Sequence, residues 1–336
     1  MRKPHILQKG GSIVRELIIG KNDAGQRLDK FLTKALFGMP QSLMYRLIRQ
    51  KKIKVNRKRA ENGQMLSEGD TLQLFIADEF FSGGEKGSDE SGLARVRVNL
   101  DIVYEDENIM LLSKRPGVLV HDDKEGQNNT LLFHAKAYLY QKGEYSPKDE
   151  QSFAPALCNR IDRNTGGIVI LAKNAEALRV MNEKIRDGQT SKFYLCAVHG
   201  IMRKKSDTLH GWLKKDSKTN TVKIYDAKNK PRDAKSIGTK YRVIAEKDGN
   251  SLLEVELLTG RTHQIRAQFS YIGHPLLGDG KYGVNRDDRA KGYKYQALYS
   301  YRLRFDFADE SGALGYLCGK EFSIPKKTVW FTEDFN

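Results

Sequence analysis

The sequence predicts a two-domain α+β protein, with a small N-terminal module at 15–77 and a larger C-terminal domain at 98–336. Its 336 residues exceed the usual size of a single domain. The stretch FFSGGEKGSDESGLAR (80–95) is rich in Gly, Ser and charge, which predicts a flexible linker at 78–97. Helical and strand-like periodicities occur on both sides of this linker, as is typical of α+β domains.

The chain carries a net charge of +16, and the surplus is concentrated near its start. Residues 1–79 hold 16 Lys and Arg residues against 8 Asp and Glu residues. A basic balance of this size favours a polyanionic partner, and nucleic acid before a membrane surface.

Targeting and redox signals favour the reduced cytoplasm. No apolar stretch approaches the roughly 18 residues of a membrane-spanning helix, and the basic N-terminus lacks the apolar core of a signal peptide. The three cysteines are widely spaced without a Cys-x-x-Cys pair, and the seven histidines have no metal-ligand spacing. We therefore expect a cytoplasmic protein without disulfides, a metal site or a membrane anchor.

The N-terminal module begins with two amphipathic helices, in GQRLDKFLTKAL and PQSLMYRLIRQ. The residues predicted to face inward are Leu28, Phe31, Leu32 and Ala35 in the first helix and Leu43, Leu47 and Ile48 in the second. The following KKIKVNRKRAENGQMLSEGDTLQLF alternates like short strands, with turn signals at 61–63 and 68–70.

The segment from Ser42 to Arg59 contains eight basic residues and no acidic one, which favours contact with phosphates over an ordinary solvated face. Two helices followed by a basic hairpin, with RLDKFL at the start and VN in the hairpin, resemble the S4 RNA-binding module. The resemblance implies RNA contacts by Arg27, Arg46, Arg49, Lys51, Lys52 and Lys54.

The larger domain starts strand-like from Val96, continues with a helix in NTLLFHAKAYLYQ, and then reaches NRIDRNTGGIVILAKN. There, Asp162 lies between Arg160 and Arg163, just ahead of the apolar run IVILA, which predicts a buried strand. Asn174 is placed to cap the next helix, and KFYLCAVHG predicts another strand. Asp162 therefore lies in a loop of a β-α-β unit, where functional residues concentrate. A routine surface ion pair is the alternative.

A second informative stretch, LLEVELLTGRTHQIRAQFSYIG, predicts a strand that ends at Gly260 and a helix capped by Thr262. The expected apolar face of this helix consists of Ile265, Phe269 and Ile272. A helix N-terminus that opens directly after a strand and carries Arg261, His263 and Arg266 suits a phosphate or a carboxylate. A solvated Arg266 and a structural His263 are the alternative.

Several function classes lack their signatures. GDGKYG (278–283) matches G-x-G-x-x-G, but a polar, non-helical stretch follows it where a dinucleotide site needs a helix. A calcium loop starting at Asp162 would place Lys173 where a bidentate Glu is required. No P-loop or G-x-S-x-G elbow is present, and no second carboxylate is matched to Asp162 as in a glycoside hydrolase.

Three ordered blocks resemble the RluA-type family of pseudouridine synthases. NRIDRNTGG with IVILAKN is similar to that family's H-R-L-D-R-D-T-S-G-L-L-L-L-A-K block, and KFYLCAVHG to its K-x-Y-x-A-x-V-x-G strand. LLTGRTHQIRAQFSYIGHPLLGDGKYG resembles its T-G-R-x-H-Q-I-R-x-H block with the trailing G-H-P-I-x-G-D-x-x-Y-G. An S4 module ahead of this domain is the arrangement of ribosomal-RNA-modifying members, so the resemblance covers nearly the whole chain.

The chain departs from the family pattern at a few positions: Asn159, Asn164, Gly166, Gln268 and the Lys-Arg-Pro-Gly of 114–117. None of them replaces the Asp, the Tyr or the helix Arg of the motifs. We expect these departures to affect substrate positioning.

The resemblance implies an α+β catalytic domain around a mixed, mostly antiparallel sheet, together with a small S4-like α+β domain. The implied reaction isomerises a uridine within RNA: the N1–C1′ bond breaks, the base rotates and a C5–C1′ bond forms. The family uses no cofactor or metal. Because a base inside a stack is inaccessible, the enzyme must first flip it out.

Roles carry over by motif position. Asp162 is the implied catalytic carboxylate, Tyr194 stacks on the target base and acts in C5 proton removal, and Arg266 pairs with Asp162. Substrate or RNA contacts are implied for Arg160, Arg163, Arg261, His263 and the pocket-lining Ile265. Whether the carboxylate attacks C1′, attacks the base or promotes elimination is left open by the sequence.

The expected partner is RNA, with large-subunit ribosomal RNA favoured and transfer RNA as the alternative, and the expected state is a monomer. A non-catalytic ribosome-associated RNA-binding protein would keep the fold without convergence of Asp162, Tyr194 and Arg266. An RNA N-glycosidase would release free uracil.

Overall fold

The computed structural model describes residues 6–9, 12–82, 92–121, 129–216, 218–309 and 312–336. Two compact units are present. One contains Met1–Val98, His134–Ala156 and Lys173–Arg179, and the other contains Asn99–Phe133, Leu157–Ala172 and Val180–Asn336. Two stretches beyond residue 98 therefore belong to the first unit, and the limits 15–77, 78–97 and 98–336 stay predictions.

Helices and strands are interspersed along the chain. The helices are α1 (Leu28–Ala35), α2 (Gln41–Arg49), α3 (Glu79–Ser82), α4 (Leu131–Gln141), α5 (Ala175–Arg186), α6 (Gln264–Tyr271) and α7 (Arg286–Ala290). The first eight strands are β1 (Ile6–Lys9), β2 (Ser12–Ile18), β3 (Ile53–Val55), β4 (Lys58–Arg59), β5 (Thr71–Leu74), β6 (Ile102–Glu105), β7 (Ile109–Lys114) and β8 (Ala156–Leu157). The others are β9 (Gly166–Ala172), β10 (Thr190–His199), β11 (Ser206–Asp216), β12 (Thr221–Tyr225), β13 (Lys235–Lys247), β14 (Asn250–Leu257), β15 (Leu298–Phe305) and β16 (Glu321–Ser323).

The first unit contains a sheet with the order β1-β2-β5-β3-β4, in which the paired strands are antiparallel. Between β3 and β4, Asn56 and Arg57 both have positive φ, of 49° and 65°. Two consecutive left-handed residues are the signature of a type I′ hairpin, whose twist matches that of the flanking strands. The basic hairpin expected from the sequence is therefore present.

The core of this unit lies between the sheet and the two helices. Leu28, Phe31 and Leu32 of α1 are fully buried, as their spacing predicts. The prediction for α2 was partly wrong, because Met44 and Ile48 are its buried residues while Leu43 and Leu47 are half-buried. Met44 and Ile48 are one turn apart on a helix that begins at Gln41, which places Leu43 at the edge of the contact.

The predicted linker at 78–97 includes ordered chain at its ends. Phe80 and Phe81, both in α3, pack against the core of the first unit, and Leu93 is buried. The predicted linker thus contains more buried side chains than its composition indicates. Residues 83–91, in its middle, lie outside the described residues.

The second unit is built on a sheet with the order β12-β11-β13-β14-β10-β15-β9-β7-β6, to which β16 and β8 are added beside β15 and β9. The registered pairs are antiparallel except β9 with β15, which are parallel. This confirms the predicted α+β class with a mixed, mostly antiparallel sheet.

Strand β9 supplies the centre of this unit and is buried at all of its positions. The two glycines at its start are part of the strand, which therefore begins two residues before the predicted run IVILA. Gly167 has φ +117°, and a Cβ on it would lie 2.2 Å from the Ser300 carbonyl oxygen. Only glycine therefore allows β9 and β15 to approach at this point.

The helix after β14 also differs from its prediction at both ends. His263, in the left-handed conformation with φ 52°, occupies the N-cap position in place of Thr262, which is exposed. The turn is held by the Gln264 side chain, whose oxygen accepts from the Arg261 N–H at 3.1 Å. The helix ends at Tyr271, so Ile272 lies outside its apolar face. Asn174, in contrast, caps the N-terminus of α5 as predicted. Its side-chain oxygen accepts from the Ala177 N–H at 2.8 Å.

Candidate active site

A cavity of about 390 Å³ in the second unit collects most of the residues singled out from the catalytic motifs. Its walls come from the loop between β8 and β9, from β10, from the end of β14 and from the first turn of α6. Five residues that the sequence motifs singled out line it together: Arg160, Asp162, Tyr194, Ile265 and Arg266. Arg261 and His263 line it as well.

Asp162 and Arg266 form the central ion pair of the cavity. Arg266 Nη1 donates to Asp162 Oδ2 at 2.8 Å, which is the contact that the motif resemblance implies. Oδ1 of Asp162 accepts no hydrogen bond from the described residues, and the side chain is about a quarter exposed. One carboxylate oxygen is thus held by a permanent cation while the other faces the cavity.

Arg266 is itself held by a carboxylate that sequence reasoning missed. Asp279 is fully buried and accepts from Arg266 Nε at 2.7 Å and Nη2 at 2.9 Å. Burial alone would raise the pKa of Asp279, but the hydrogen bonds and charge of Arg266 keep it below its ordinary value. Burial would lower the pKa of Arg266, whereas Asp279 and Asp162 together raise it. The one available signal was the D of GDGKYG within the third family-like block.

His263 lies beside the same carboxylate, with Nε2 3.8 Å from Asp162 Oδ2. Its Nδ1 is hydrogen-bonded to the Tyr282 hydroxyl at 2.7 Å, and that hydroxyl also accepts from the Val222 N–H at 2.9 Å. Burial lowers the pKa of His263, although the Asp162 charge opposes this shift. The imidazole is therefore uncharged near pH 7 and forms part of the cavity wall.

Tyr194 contributes the aromatic face of the cavity. It lies on β10, is 7% exposed and packs in the apolar cluster beneath α6 with Ile265 and Phe269. Burial raises the pKa of Tyr194 to about 12, with the Ser300 side-chain hydrogen bond and the Asp162 charge as smaller influences. Its phenol is therefore neutral over the physiological pH range.

Lys114 anchors the loop that carries Asp162, and sequence reasoning missed this role as well. The fully buried ammonium donates to the Arg163 carbonyl at 2.7 Å, to the Val118 carbonyl at 2.9 Å and to the Arg115 carbonyl at 3.1 Å. Burial lowers the pKa of Lys114 to about 7, and the Asp162 charge opposes that shift. Lys114 thus ties the 115–118 turn to the backbone next to Asp162.

The two arginines beside Asp162 have different surroundings. Arg160 is exposed and lines the cavity. Arg163 is exposed but is not part of the cavity wall, and its Nε donates to the Gly117 carbonyl at 3.1 Å. The structure therefore places Arg163 with the loop anchored by Lys114.

The implied RNA contacts of the S4-like module all lie in the first unit. Arg46, Arg49, Lys51 and Lys52 are exposed, and Lys54 is half-buried with its Nζ 5.4 Å from the Phe75 ring centroid. Arg27 is engaged by Asp29, through Nε at 3.1 Å and Nη2 at 2.7 Å. Arg49 also lines a surface groove with Arg59, a residue outside the predicted set.

Two departures from the family pattern serve the scaffold in this chain. The Asn159 side-chain oxygen accepts from the Ile170 N–H at 2.7 Å, which connects the loop that carries Asp162 to β9. The Gln268 side chain accepts from Thr239 Oγ1 at 2.6 Å and donates to the Leu209 carbonyl at 3.1 Å. Both are therefore satisfied within the fold.

Across the described ranges there is no group of three or more His, Cys, Asp or Glu side chains that could hold a metal ion. Within the same part of the chain, every helix is too short or too polar to cross a bilayer.

Comparisons with known proteins agree with the fold. A family model described as RNA pseudouridylate synthase matches residues 108–271, and the S4-domain model matches residues 26–72. An uncharacterized RNA pseudouridine synthase of Mycoplasma genitalium is 31% identical over 303 residues, which is 87% of this chain and 90% of that protein. The ribosomal large subunit pseudouridine synthase C of Vibrio cholerae is 30% identical over 276 residues, 82% of each chain.

Among solved structures, human RNA pseudouridylate synthase domain containing 1 matches with a TM-score of 0.50 and 22% identity, over 63% of this chain and 80% of that one. This likeness supports the fold of the catalytic domain. A basic S4 module and a cavity with one arginine-clamped carboxylate define an RNA-modifying enzyme. The chain belongs to the RluA-type RNA pseudouridine synthases with an N-terminal S4 domain, which are isomerases that act on uridine in RNA.

Proposed function

We propose that this chain isomerises uridines of large-subunit ribosomal RNA and that Asp162 is its catalytic carboxylate. The observation that carries the catalytic assignment is the Arg266–Asp162 hydrogen bond of 2.8 Å inside the cavity that Tyr194 also lines. The choice of RNA rests on relatives such as the Vibrio cholerae enzyme, whose name specifies the ribosomal large subunit.

Asp162 meets the sugar of the flipped nucleotide in this proposal. Breaking the N1–C1′ bond leaves its electron pair on the base and positive charge at C1′. The Asp162 oxygen that carries no hydrogen bond is available to that carbon, either as a nucleophile or as a stabilising charge. Because Arg266 is itself fixed by Asp279, the carboxylate is positioned before the substrate enters.

Tyr194 provides the stacking surface for the extruded base. Its ring is part of the apolar cluster, so a base against it exchanges water for an aromatic contact that is worth about 1–3 kcal/mol. Since burial holds its pKa near 12, the phenol acts as a neutral hydrogen-bonding group and takes part in C5 proton removal only by passing a proton on.

The RNA outside the cavity is held by charge. Arg160 and Arg261 are exposed on the cavity wall, and the cations of α2 and the β3 region are exposed in the first unit. Arginine fills the gap left by a flipped base and pairs with phosphate, which supports the proposed role of Arg160. We further propose that the protein acts as a monomer, in the cytoplasm where ribosomal RNA is modified.

Pseudouridine mapping tests this function directly. We expect specific uridines of large-subunit ribosomal RNA to remain unmodified in a strain lacking the protein and to be restored by the purified wild-type enzyme. Asp162→Asn is expected to abolish the modification while preserving RNA binding, and the exposed Asp187→Asn serves as the matched control. Modification confined to transfer RNA, release of free uracil, or full activity of Asp162→Asn would overturn the proposal.

A further inference from the structure

Lys192 is a cation in the cavity to which the motif roles assign no function. Its side chain lines the cavity, yet its ammonium makes no hydrogen bond or ion pair with any residue in the described ranges. An amine without acceptors in a desolvated place is costly, because a buried charge needs a partner. Such a group points to a partner that arrives with the substrate.

The position of Lys192 on β10 explains its direction. It precedes Tyr194 by two residues, and side chains two apart on a strand lie on the same face of the sheet. Its register partner on β14 is Leu257, which lines the cavity together with Leu298 and Cys158. Burial among these neighbours lowers the pKa of the Lys192 ammonium, and the charge interaction with the Cys158 thiol opposes that shift.

The other cations near the cavity are already committed or lie at its mouth. Arg266 is shared by Asp162 and Asp279, and Lys114 is saturated by three carbonyl oxygens. Arg160, Lys215 and Arg261 are exposed on the cavity wall. Among the described Lys and Arg residues of the wall, Lys192 is thus the half-buried one whose ammonium has no hydrogen-bond partner in the described ranges.

We propose that the Lys192 ammonium hydrogen-bonds a carbonyl oxygen of the target uracil and stabilises the negative charge that the base gains when the N1–C1′ bond breaks. The inference rests on the proposed function of the cavity. The electron pair of the broken bond enters the ring and is shared by N1, O2 and O4. It is returned when C5 bonds to C1′, after which water takes the C5 proton and N1 takes up a proton from water, so that the product is an isomer of the substrate. Lys192 keeps its proton throughout and acts as a fixed electrostatic group.

The symmetry of uracil makes one donor sufficient for both halves of the reaction. A half-turn of the ring about its N3–C6 axis exchanges N1 with C5 and also exchanges O2 with O4. A donor fixed on one side of the ring therefore meets a carbonyl oxygen before and after the rotation. Lys192 is fixed in this way because its strand is paired on both sides, with β14 and β15.

The test compares Lys192→Met, Lys192→Arg and a control, Lys240→Met, in single-turnover reactions on an RNA that the wild-type enzyme modifies. Lys240 lies on β13 with a side chain 61% exposed, so its replacement is expected to change the rate less than about twofold. Removing a preorganised donor to a developing anion costs about 10²–10³ in rate, which is the loss expected for Lys192→Met. Lys192→Arg should recover at least part of it.

A second substrate separates the proposed role from a structural one. With 5-fluorouridine at the target position the departing base is a more stable anion and needs less help. We expect the N1–C1′ cleavage defect of Lys192→Met to shrink about tenfold on that RNA. The melting temperature of Lys192→Met should not fall, because the change removes a desolvated charge from apolar surroundings.

The outcomes are distinguishable. A wild-type enzyme that modifies no ribosomal RNA would overturn the proposed function. An active wild type with an equally fast Lys192→Met variant would overturn the role of Lys192 alone. A defect of equal size on uridine and 5-fluorouridine, or one that follows a loss of melting temperature, would show that Lys192 only supports the fold.

Discussion

Asp279 grips Arg266 through two parallel hydrogen bonds, of 2.7 Å from Nε and 2.9 Å from Nη2. This arrangement leaves Nη1 as the guanidinium donor that faces Asp162. Oδ1 of Asp279 also accepts the N–H groups of Lys281 and Tyr282, so the backbone of the following turn fixes the carboxylate in place. The orientation of Asp162, the proposed catalytic carboxylate, therefore depends on a fully buried residue that does not line the cavity.

Asp279→Asn is expected to lower both stability and activity. The amide keeps the shape but loses the charge and turns an N–H₂ group toward the donors of Arg266. Breaking one partner of a buried ion pair costs about 3–5 kcal/mol, and part of this cost remains here because Asp162 still faces Arg266. We expect the free energy of unfolding in urea to fall by about 3 kcal/mol, and the single-turnover rate to fall at least tenfold at saturating RNA.

The matched control for this change is Asp207→Asn, which removes a charge from the exposed Lys204–Asp207 pair. Exposed pairs contribute little, so the unfolding free energy of this variant should equal that of the wild type within the error of the measurement. Equal unfolding free energies and equal single-turnover rates of the two variants would contradict the role of Asp279 in holding Arg266.

Lys114→Met is expected to separate catalysis from RNA binding. The substitution removes a donor that three carbonyl oxygens share. The Arg163 oxygen keeps the Gly117 N–H at 2.9 Å and the Arg115 oxygen keeps the Val118 N–H at 3.4 Å. The Val118 oxygen loses its hydrogen bond to Lys114, at a cost of about 1–3 kcal/mol. The loop carrying Asp162 loses its hydrogen bond to the Lys114 ammonium and keeps the two Arg163–Gly117 hydrogen bonds to the 115–118 turn, while no RNA-facing cation changes. We expect a single-turnover rate at least tenfold lower with an RNA dissociation constant within about twofold, and the exposed Lys320→Met as an unaffected control. A proportional loss of RNA affinity would argue for a different role.

Local patterns predicted the residues of the cavity better than the contacts that orient them. Asp162, Tyr194 and Arg266 belong to motifs whose letters and spacing are visible in the chain. Asp279 and Lys114 act through tertiary contacts, and nothing in GDGKYG or SKRPG by itself shows what the side chains meet. The N-cap at His263 escaped prediction for a similar reason, because the Gln264 side chain holds the turn instead of Thr262. Register across a sheet and burial of a charge are set by the partner strand or loop, which periodicity does not describe.

Acid sensitivity is expected to come in part from Glu254 on β14. This carboxylate is 7% exposed, accepts from Arg242 Nε at 2.5 Å and is also bonded by the Tyr301 hydroxyl. Burial alone would raise its pKa, but these hydrogen bonds and the Lys326 charge lower it from 4.5 to about 2. A lowered carboxyl pKa adds stability that is complete above the unfolded-state value and is lost as pH falls through the folded-state value.

The stability contributed by Glu254 should therefore disappear between about pH 4.5 and pH 2. Urea unfolding of wild type and Glu254→Gln as a function of pH measures this contribution, which is at most about 3 kcal/mol because one pKa unit corresponds to about 1.4 kcal/mol. We expect the two curves to converge toward pH 2 and to separate above pH 5. Parallel curves over this range would exclude Glu254 as a source of the acid sensitivity.

The basic surface of the first unit is expected to set the salt dependence of RNA binding. Each phosphate that a cation neutralises releases counterions, and the slope of log K against log salt changes by about 0.7–0.9 per contact. Four exposed cations of this surface, all without a carboxylate partner among the described residues, are Arg46, Arg49, Lys51 and Lys52. Replacing all four with Ala should weaken binding at low salt and make the slope shallower by up to about 3.

Two comparisons sharpen this measurement. Lys21, Lys30 and Lys34 are exposed cations of the same unit outside the predicted contact set, and their triple Ala variant should change the slope by less than about 1. Arg27 is committed to Asp29 by two hydrogen bonds, so Arg27→Ala should mainly reduce the stability of the S4-like module and leave the slope nearly unchanged. Binding of a fluorescent target RNA, titrated at several salt concentrations, gives all of these slopes. If the two multiple variants had equal slopes, RNA would respond to net charge alone and not to the α2 and hairpin surface.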